Sequence, residues 1–317
     1  MGESCIPTVD LSPCFREDDE DGMKKAKEII GQACSEYGFF QVVNHGVPLG
    51  LMTRAIELSK TFFETLPNEE KLKCAPNSGA PLPAGYNRQP DQSPDKNEYL
   101  LMFPPGSNLN VYPQNPPHFR EVLEQIFAYF TRLGALIESI LSQCLGLPSN
   151  FLKEFNHDRS WDFMAALHYF PATETENNGI TEHEDGNCIT FVFQDEAGGL
   201  EVRRNGEWIP VIPTRGSLVV NVGDVIQVLS NNNFKSATHR VVRPKSKSRY
   251  SYAFFYNLHG DKWVEPLQQF TKDIGEAPKY RGFRYKEYQE LRMRNKTHPP
   301  STPEDVIHIT HYALNTS

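Results

Sequence analysis

His183, Asp185, His239, Arg249 and Ser251 are the residues whose types and spacing can do chemistry. In an extended chain residues i and i+2 face the same way, so His183 and Asp185 of His183-Glu184-Asp185 aim together while Glu184 turns aside. One imidazole and one carboxylate are two of the three ligands of a 2-His-1-carboxylate metal site. The third is expected from His239, in the run Ser236-Ala237-Thr238-His239-Arg240-Val241-Val242. The same parity sets the Arg249 guanidinium beside the Ser251 hydroxyl, as holding a distal carboxylate would require. It continues through Ala253 and Phe255, with Phe255 placed either to stack on a substrate or to serve the core.

A His-x-Asp also arises by chance, and this chain carries a second copy in His259-Gly260-Asp261. That copy has glycine at its centre and is followed only by His298, His308 and His311, so it is assigned to a turn. A hydrolytic zinc site can use similar ligands; nothing beside Arg249 and Ser251 favours one.

The elements that must position these residues divide near residue 155. Before it the pattern is helical: Met23 to Tyr37, Leu49 to Leu66, and His118 to Leu145 with a wide apolar stripe. The acidic run Glu17 to Asp21 suits a helix N-terminus. Phe39 to Val43 reads as a buried strand, and Cys74 to Asn115 as proline-rich loops lying over something. From Trp161 onward, short β-runs follow one another: Met164 to Phe170, Cys188 to Gln194, Gly199 to Arg203, Glu207 to Val211, Ser217 to Val222, Ala237 to Val242 and Arg249 to Leu258. Asn205-Gly206 is a hairpin signal, and the spacing predicts a sandwich or jelly roll. A helix over Tyr285 to Asn295 and a polar tail would cover it.

The 317 residues are 38% hydrophobic and 23% charged, which places them among globular chains. A net charge of −8 excludes affinity built on neutralising phosphates, so no nucleic acid partner is expected. Cys5, Cys14, Cys34, Cys74, Cys144 and Cys188 stand singly, with no CxxC pair, and are read as reduced thiols. The start lacks a basic and an apolar leader region, and no apolar run approaches a membrane span, so a cytoplasmic chain with no membrane partner is expected.

Taken in order, these motifs resemble the plant-type iron(II)- and 2-oxoglutarate-dependent dioxygenases of the isopenicillin-N-synthase-like group. The resemblance covers nearly the whole chain. It runs through Ile6-Pro7-Thr8-Val9-Asp10-Leu11 and Tyr37-Gly38-Phe39-Phe40 to Asn44-His45-Gly46-Val47. It continues through His183-x-Asp185 with Thr190, Gln194-Asp195, Gly198-Gly199-Leu200-Glu201-Val202, Val220-Asn221-Val222-Gly223-Asp224, Ser230-Asn231, Lys235-Ser236, His239-Arg240-Val241 and Arg249-x-Ser251. By that resemblance His183, Asp185 and His239 bind iron, and Arg249 and Ser251 hold the C5 carboxylate of 2-oxoglutarate. His45 belongs to a structural turn. One segment departs: where plant members often read Asn-Tyr-Tyr-Pro-Pro-Cys, this chain has Leu167-His168-Tyr169-Phe170-Pro171-Ala172. Tyr169 stands for the second tyrosine, which contacts the co-substrate, while Leu167 replaces the asparagine; His168 is not taken as a ligand.

The resemblance implies a mainly β fold with flanking helices: a double-stranded β-helix (jelly-roll, cupin-like) core, a helical N-terminal region and a C-terminal cover helix. The expected divisions are 1–115, a scaffold helix in 116–150, a core over 155–265 and a C-terminal helix and tail over 266–317, all one structural unit. Expected cofactors are Fe(II), 2-oxoglutarate and O2, with ascorbate a candidate reductant. The implied reaction is hydroxylation, desaturation or demethylation of a small metabolite or hormone, coupled to decarboxylation of 2-oxoglutarate to succinate and CO2. The substrate is expected to be aromatic or terpenoid, with Phe255, Tyr86 and Phe103 as wall residues, and the protein a monomer. Two alternatives stay open: an iron oxidase of the same fold that needs no 2-oxoglutarate, and a catalytically silent jelly-roll binding protein.

Overall fold

The computed structural model describes residues 5–16, 18–76, 84–297, 302 and 305–314. Glu17 of the acidic run and the first four residues lie outside them. Twelve strands form the two main sheets: β1 (Thr8–Asp10), β2 (Phe39–Val43), β3 (Gly85–Arg88), β4 (Asn97–Met102), β5 (Phe163–Tyr169), β6 (Asn178–His183), β7 (Ile189–Gln194), β8 (Leu200–Arg204), β9 (Glu207–Pro210), β10 (Leu218–Val222), β11 (His239–Val242) and β12 (Arg249–Tyr256). Seven α-helices accompany them: α1 (Glu20–Glu36), α2 (Leu49–Lys60), α3 (Asn68–Leu72), α4 (Phe119–Cys144), α5 (Phe151–Phe155), α6 (Asp224–Leu229) and α7 (Tyr285–Thr297). An eight-stranded sheet runs β1-β2-β10-β7-β12-β5-β4-β3, and a four-stranded sheet runs β6-β11-β8-β9.

Strand parity explains how the large sheet serves two cores at once. On β5 and β12 the even-numbered Met164, Ala166, Tyr250, Tyr252, Phe254 and Tyr256 pack into the cluster shared with the helices. The odd-numbered Ala165, Leu167 and Tyr169 face the other way and meet Leu200, Val202 and Val241 of the small sheet. The space between the sheets is therefore where a site can open.

The expected long helix is α4. Its buried stripe at Val122, Leu123, Ile126, Phe127, Phe130, Leu133, Ile137, Ile140 and Leu141 lies against the back of the large sheet. Phe127 meets Phe254 edge-on at 4.9 Å, and Phe130 lies 6.3 Å from Phe191. Each such buried aromatic contributes roughly 1.5–3 kcal/mol by leaving water. Gly134 is what lets the helix approach: a Cβ there would fall 2.5 Å from the Tyr256 ring. Tyr256 then reaches past it to donate to Glu138 Oε2 at 2.9 Å.

The Asn205-Gly206 hairpin forms as expected between β8 and β9, with both residues at positive φ (51° and 86°), the backbone that Asn-Gly tolerates. Three features differ from expectation. Part of the stretch from Cys74 to Asn115 is a hairpin, β3–β4, that extends the large sheet beside β5. Its alternation is masked in the sequence because Glu98, 1% exposed, occupies an apolar position and is neutralised there by Lys71 at 3.0 Å. The polar edge strand β6 was not expected: its one fully buried residue is Gly179, so it carries no apolar alternation. Likewise α6 follows β10 directly, where no helix was read.

Candidate metal centre

His183 closes β6 and His239 opens β11, and the two are direct partners across that antiparallel pair. Their rings lie 4.3 Å apart. The expectation of one extended chain through His183 and Asp185 is corrected: the strand ends at His183, and Asp185 sits in the loop beyond it. His183 and Asp185 still converge, since Asp185 Oδ1 is 3.7 Å from His183 Nε2 and 3.8 Å from His239 Nε2. One ligand atom from each of the three lies within 4.8 Å of the others.

Protons on this trio are assigned by their neighbours. His183 Nδ1 lies 2.8 Å from Thr181 O and His239 Nδ1 3.1 Å from Ala237 O. A carbonyl only accepts, so each Nδ1 carries a hydrogen, and Nε2 is the ring nitrogen turned toward Asp185 and able to bind a metal. Asp185 Oδ2 accepts from Thr190 Oγ1 at 2.6 Å and from Asn221 Nδ2 at 2.9 Å, which leaves Oδ1 toward the imidazoles. Burial pushes the Asp185 carboxyl up, but His239, His183, Thr190 and Asn221 outweigh it and hold the group well below the ordinary carboxylate range. The Phe39 ring backs His239 edge-on at 5.1 Å. Two imidazole Nε2 atoms and one ionised carboxylate on one side suit a divalent iron with further coordination positions open.

Arg249 lies at the start of β12, 1% exposed. Nε donates to Gly198 O at 2.6 Å, Nη1 to Ser251 Oγ at 2.9 Å and Nη2 to Gln194 Oε1 at 3.0 Å. Its guanidinium also lies 4.6 Å from the Tyr169 ring. Every one of these partners is neutral, and among the described residues no carboxylate stands within ion-pair distance of Arg249. These three acceptors use three of its five N–H groups, and the Tyr169 hydroxyl is a further hydrogen-bond neighbour of the guanidinium. Gln194 Nε2 beside it is buried and has no hydrogen-bond partner. A buried cation whose direct partners are all neutral, with the neighbouring Asp195 carboxylate beyond ion-pair distance, suits a carboxylate ligand. Thr190 of the metal side and Gln194 of the arginine side share one face of β7, which puts the metal trio and the guanidinium on the same side of the sheet.

Beside Ser251 the β12–β5 register continues as Ser251 with Leu167, Ala253 with Ala165, and Phe255 with Phe163. Phe255 and Phe163 stack at 4.5 Å and 23°, and Phe103 meets Phe163 edge-on at 6.4 Å. β5 begins one residue before the expected run from Met164, and odd parity counted back from Tyr169 puts Phe163 on the wall face. Leu167 packs with Ala165, Val202 and Val219, so the asparagine it replaces would face an apolar surface here. Tyr86 is corrected as a wall residue. It shares the face of its β4 partner Leu100, in the helix-side core, and donates its hydroxyl to Glu98. His168 points the same way, with Nδ1 2.8 Å from Glu98 Oε1. His45 accepts from Val47 N and lies 2.9 Å from Gly216 O, holding a turn, and His259-Gly260-Asp261 is a turn near Asp158.

Residues 161–258 match the family model of the 2OG-Fe(II) oxygenase superfamily, and residues 6–122 match that of the non-haem dioxygenase in morphine synthesis N-terminal region. The chain is 34% identical over 303 residues to a flavonol synthase/flavanone 3-hydroxylase of Matthiola incana, spanning 92% of this chain and all of that protein. It is 35% identical over 274 residues to jasmonate-induced oxygenase 1 of Arabidopsis thaliana, spanning 84% of this chain and 67% of the other. Its structure superposes with a TM-score of 0.83 on JOX2 in complex with 2OG, Fe and JA, at 29% identity over 98% of this chain and 90% of that one. The rice dioxygenase for auxin oxidation follows at 0.77 and 26% identity, over 98% of this chain and all of that one.

Proposed function

We propose that this chain, which belongs to the 2OG-Fe(II) oxygenase superfamily, holds its iron on His183, Asp185 and His239, holds the distal carboxylate of 2-oxoglutarate on Arg249 and Ser251 over the Tyr169 ring, and oxidises an aromatic or terpenoid small molecule. The protein is an iron(II)- and 2-oxoglutarate-dependent dioxygenase acting on a small molecule. Iron(II) bound with 2-oxoglutarate supplies the activation of O2 that couples decarboxylation of the co-substrate, to succinate and CO2, to oxidation of a substrate C–H bond.

The observation that carries the site assignment is the pairing of a three-ligand cluster with a buried guanidinium that, among the described residues, makes no ion pair with a carboxylate. Arg249 contributes both charge and a planar set of donors, so a carboxylate is held in one orientation. Asp185 presents one oxygen because Thr190 and Asn221 occupy the other. Phe255, Phe163 and Phe103 form a wall that stacks a flat ring and excludes water, and that placement selects which C–H faces the metal. Ala165 and Ala253, directly paired, leave room in front of it. Among the described residues no helix is long and apolar enough to cross a membrane. All six cysteines are free, as in a reducing compartment, which supports a cytoplasmic location.

Anaerobic addition of Fe(II) and 2-oxoglutarate is expected to give a weak visible charge-transfer band that His239→Ala abolishes, and turnover is expected to release succinate in step with oxidised product. A wild-type protein that shows no band overturns the site assignment. Turnover without succinate would instead favour an oxidase of the same fold.

A further inference from the structure

We propose that Glu184, the residue between the two ligands of His183-Glu184-Asp185, is a positioning residue through which the C-terminal segment sets the metal site. The inference rests on the assignment of His183, Asp185 and His239 as metal ligands. The pairing of β6 with β11 ends at His183, so the loop from Glu184 to Gly186 has no strand partner. Its three successive carbonyls are satisfied from elsewhere. Glu184 O accepts from Arg292 Nη2, Asp185 O from Asp224 N at 2.8 Å and Gly186 O from Gln289 Nε2 at 2.8 Å.

Two of those three donors come from α7, and the third is tied to it, because Tyr288 donates its hydroxyl to Asp224 Oδ2 at 2.6 Å. Residues 288, 289 and 292 stand one and four positions apart, on one face of that helix. The chain beyond α7 is fastened to the same face: Arg292 Nη1 donates to Ile307 O at 3.1 Å, and Asn295 Nδ2 donates to Ile307 O at 2.7 Å.

Glu184 closes this arrangement with its side chain. Oε1 accepts from Thr238 Oγ1 at 2.6 Å, and Thr238 is the neighbour of His239. Oε2 lies 3.0 Å from His308 Nδ1 in the C-terminal segment. One half-buried carboxylate therefore joins the Asp185 loop, the His239 strand and the C-terminal segment. Linkage makes the coupling reciprocal: if docking of residues 305–314 favours the ligand geometry, metal binding tightens that docking by the same factor.

The test is titration of the full-length protein with Co(II) alone, read by its visible ligand-field absorption, with hydrogen exchange of residues 305–314 measured with and without the metal. Wild type is expected to bind Co(II) and to slow exchange of 305–314 when it does. Glu184→Ala is expected to weaken Co(II) about tenfold, to shift the absorption and to abolish the exchange response. Glu184→Gln, which keeps an oxygen for Thr238, restores most of the affinity. Thr238→Val removes only the hydroxyl and serves if Glu184→Ala fails to fold; it is expected to weaken Co(II) in the same direction. A merely structural role would lower metal-free stability and leave affinity and spectrum unchanged, and that result in Glu184→Ala, or in Thr238→Val where the first does not fold, overturns the inference alone. A wild type that binds no Co(II) overturns the ligand assignment along with it.

Discussion

Thr190 donates its hydroxyl to Asp185 Oδ2 at 2.6 Å, and with that bond it settles which carboxylate oxygen faces His183 and His239. Neither residue is in a position to do this by sequence proximity alone: Thr190 is on β7 and Asp185 is in the loop before it.

Thr190→Val keeps the shape and removes the donor, so Asp185 can rotate. Metal affinity is expected to fall about tenfold, measured by Co(II) titration without co-substrate, while the unfolding midpoint of the metal-free protein moves little. Unchanged affinity would mean that Asn221, also on Oδ2 at 2.9 Å, holds the carboxylate by itself.

Arg249→Gln removes the buried guanidinium charge, which makes no ion pair among the described residues. Loss of a hydrogen-bonded charge pair of roughly 1.5–3 kcal/mol raises KM for 2-oxoglutarate by about ten- to a hundredfold. Co(II) affinity in the absence of 2-oxoglutarate should stay at the wild-type value. The rise in Tm that 2-oxoglutarate gives metal-loaded wild type should vanish in the variant. A variant that keeps both the wild-type KM and the Tm response would remove Arg249 from the site.

Ala253 and Ala165 are opposite one another between the Phe255–Phe163 stack and the Ser251–Leu167 pair. Ala253→Phe should fill the room in front of the wall. Substrate KM is expected to rise at least about tenfold, the scale of a misfitted pocket, while slow succinate release without substrate continues. Product formation at the wild-type rate would place the substrate elsewhere.

Asp162 gives the fold a pH dependence of defined sign. Burial pushes its carboxyl from 3.8 up to about 7, against the pull of Arg159 at 3.7 Å. Between pH of about 4 and 7 the unfolded chain has lost a proton that the folded chain keeps, so the folded state binds more protons and stability falls as pH rises through this window. Asp162→Asn removes the titration and preserves an acceptor for Asn257 N, which Asp162 Oδ1 meets at 2.7 Å. In urea unfolding at pH 4.5 and pH 8, the variant should gain on wild type by on the order of 2 kcal/mol at the higher pH. A difference between the two proteins that does not change with pH would show that Asp162 is ionised in the folded state.

Much of the site was legible because it is written in local periodicities. A period of two places Arg249 with Ser251 and both with Ala253 and Phe255, a wide apolar stripe marks α4, and Asn-Gly marks the β8–β9 turn. These patterns need no knowledge of what lies across the strand. What sequence alone could not supply was pairing and facing: that β6 exists and sets His183 opposite His239, that Asp185 leaves the strand and is turned by Thr190 and Asn221, that Glu184 reaches His308 across the chain, and that Tyr86 faces the helices while Phe163 faces the wall. Register and burial depend on partners distant in sequence, and a buried ion pair such as Lys71–Glu98 can erase the alternation that would otherwise reveal a strand. The residue types determined which metal and which carboxylate chemistry the chain can do; the tertiary structure decided which atoms face one another, because only non-local strand pairing and the docking of α7 bring them within bonding distance.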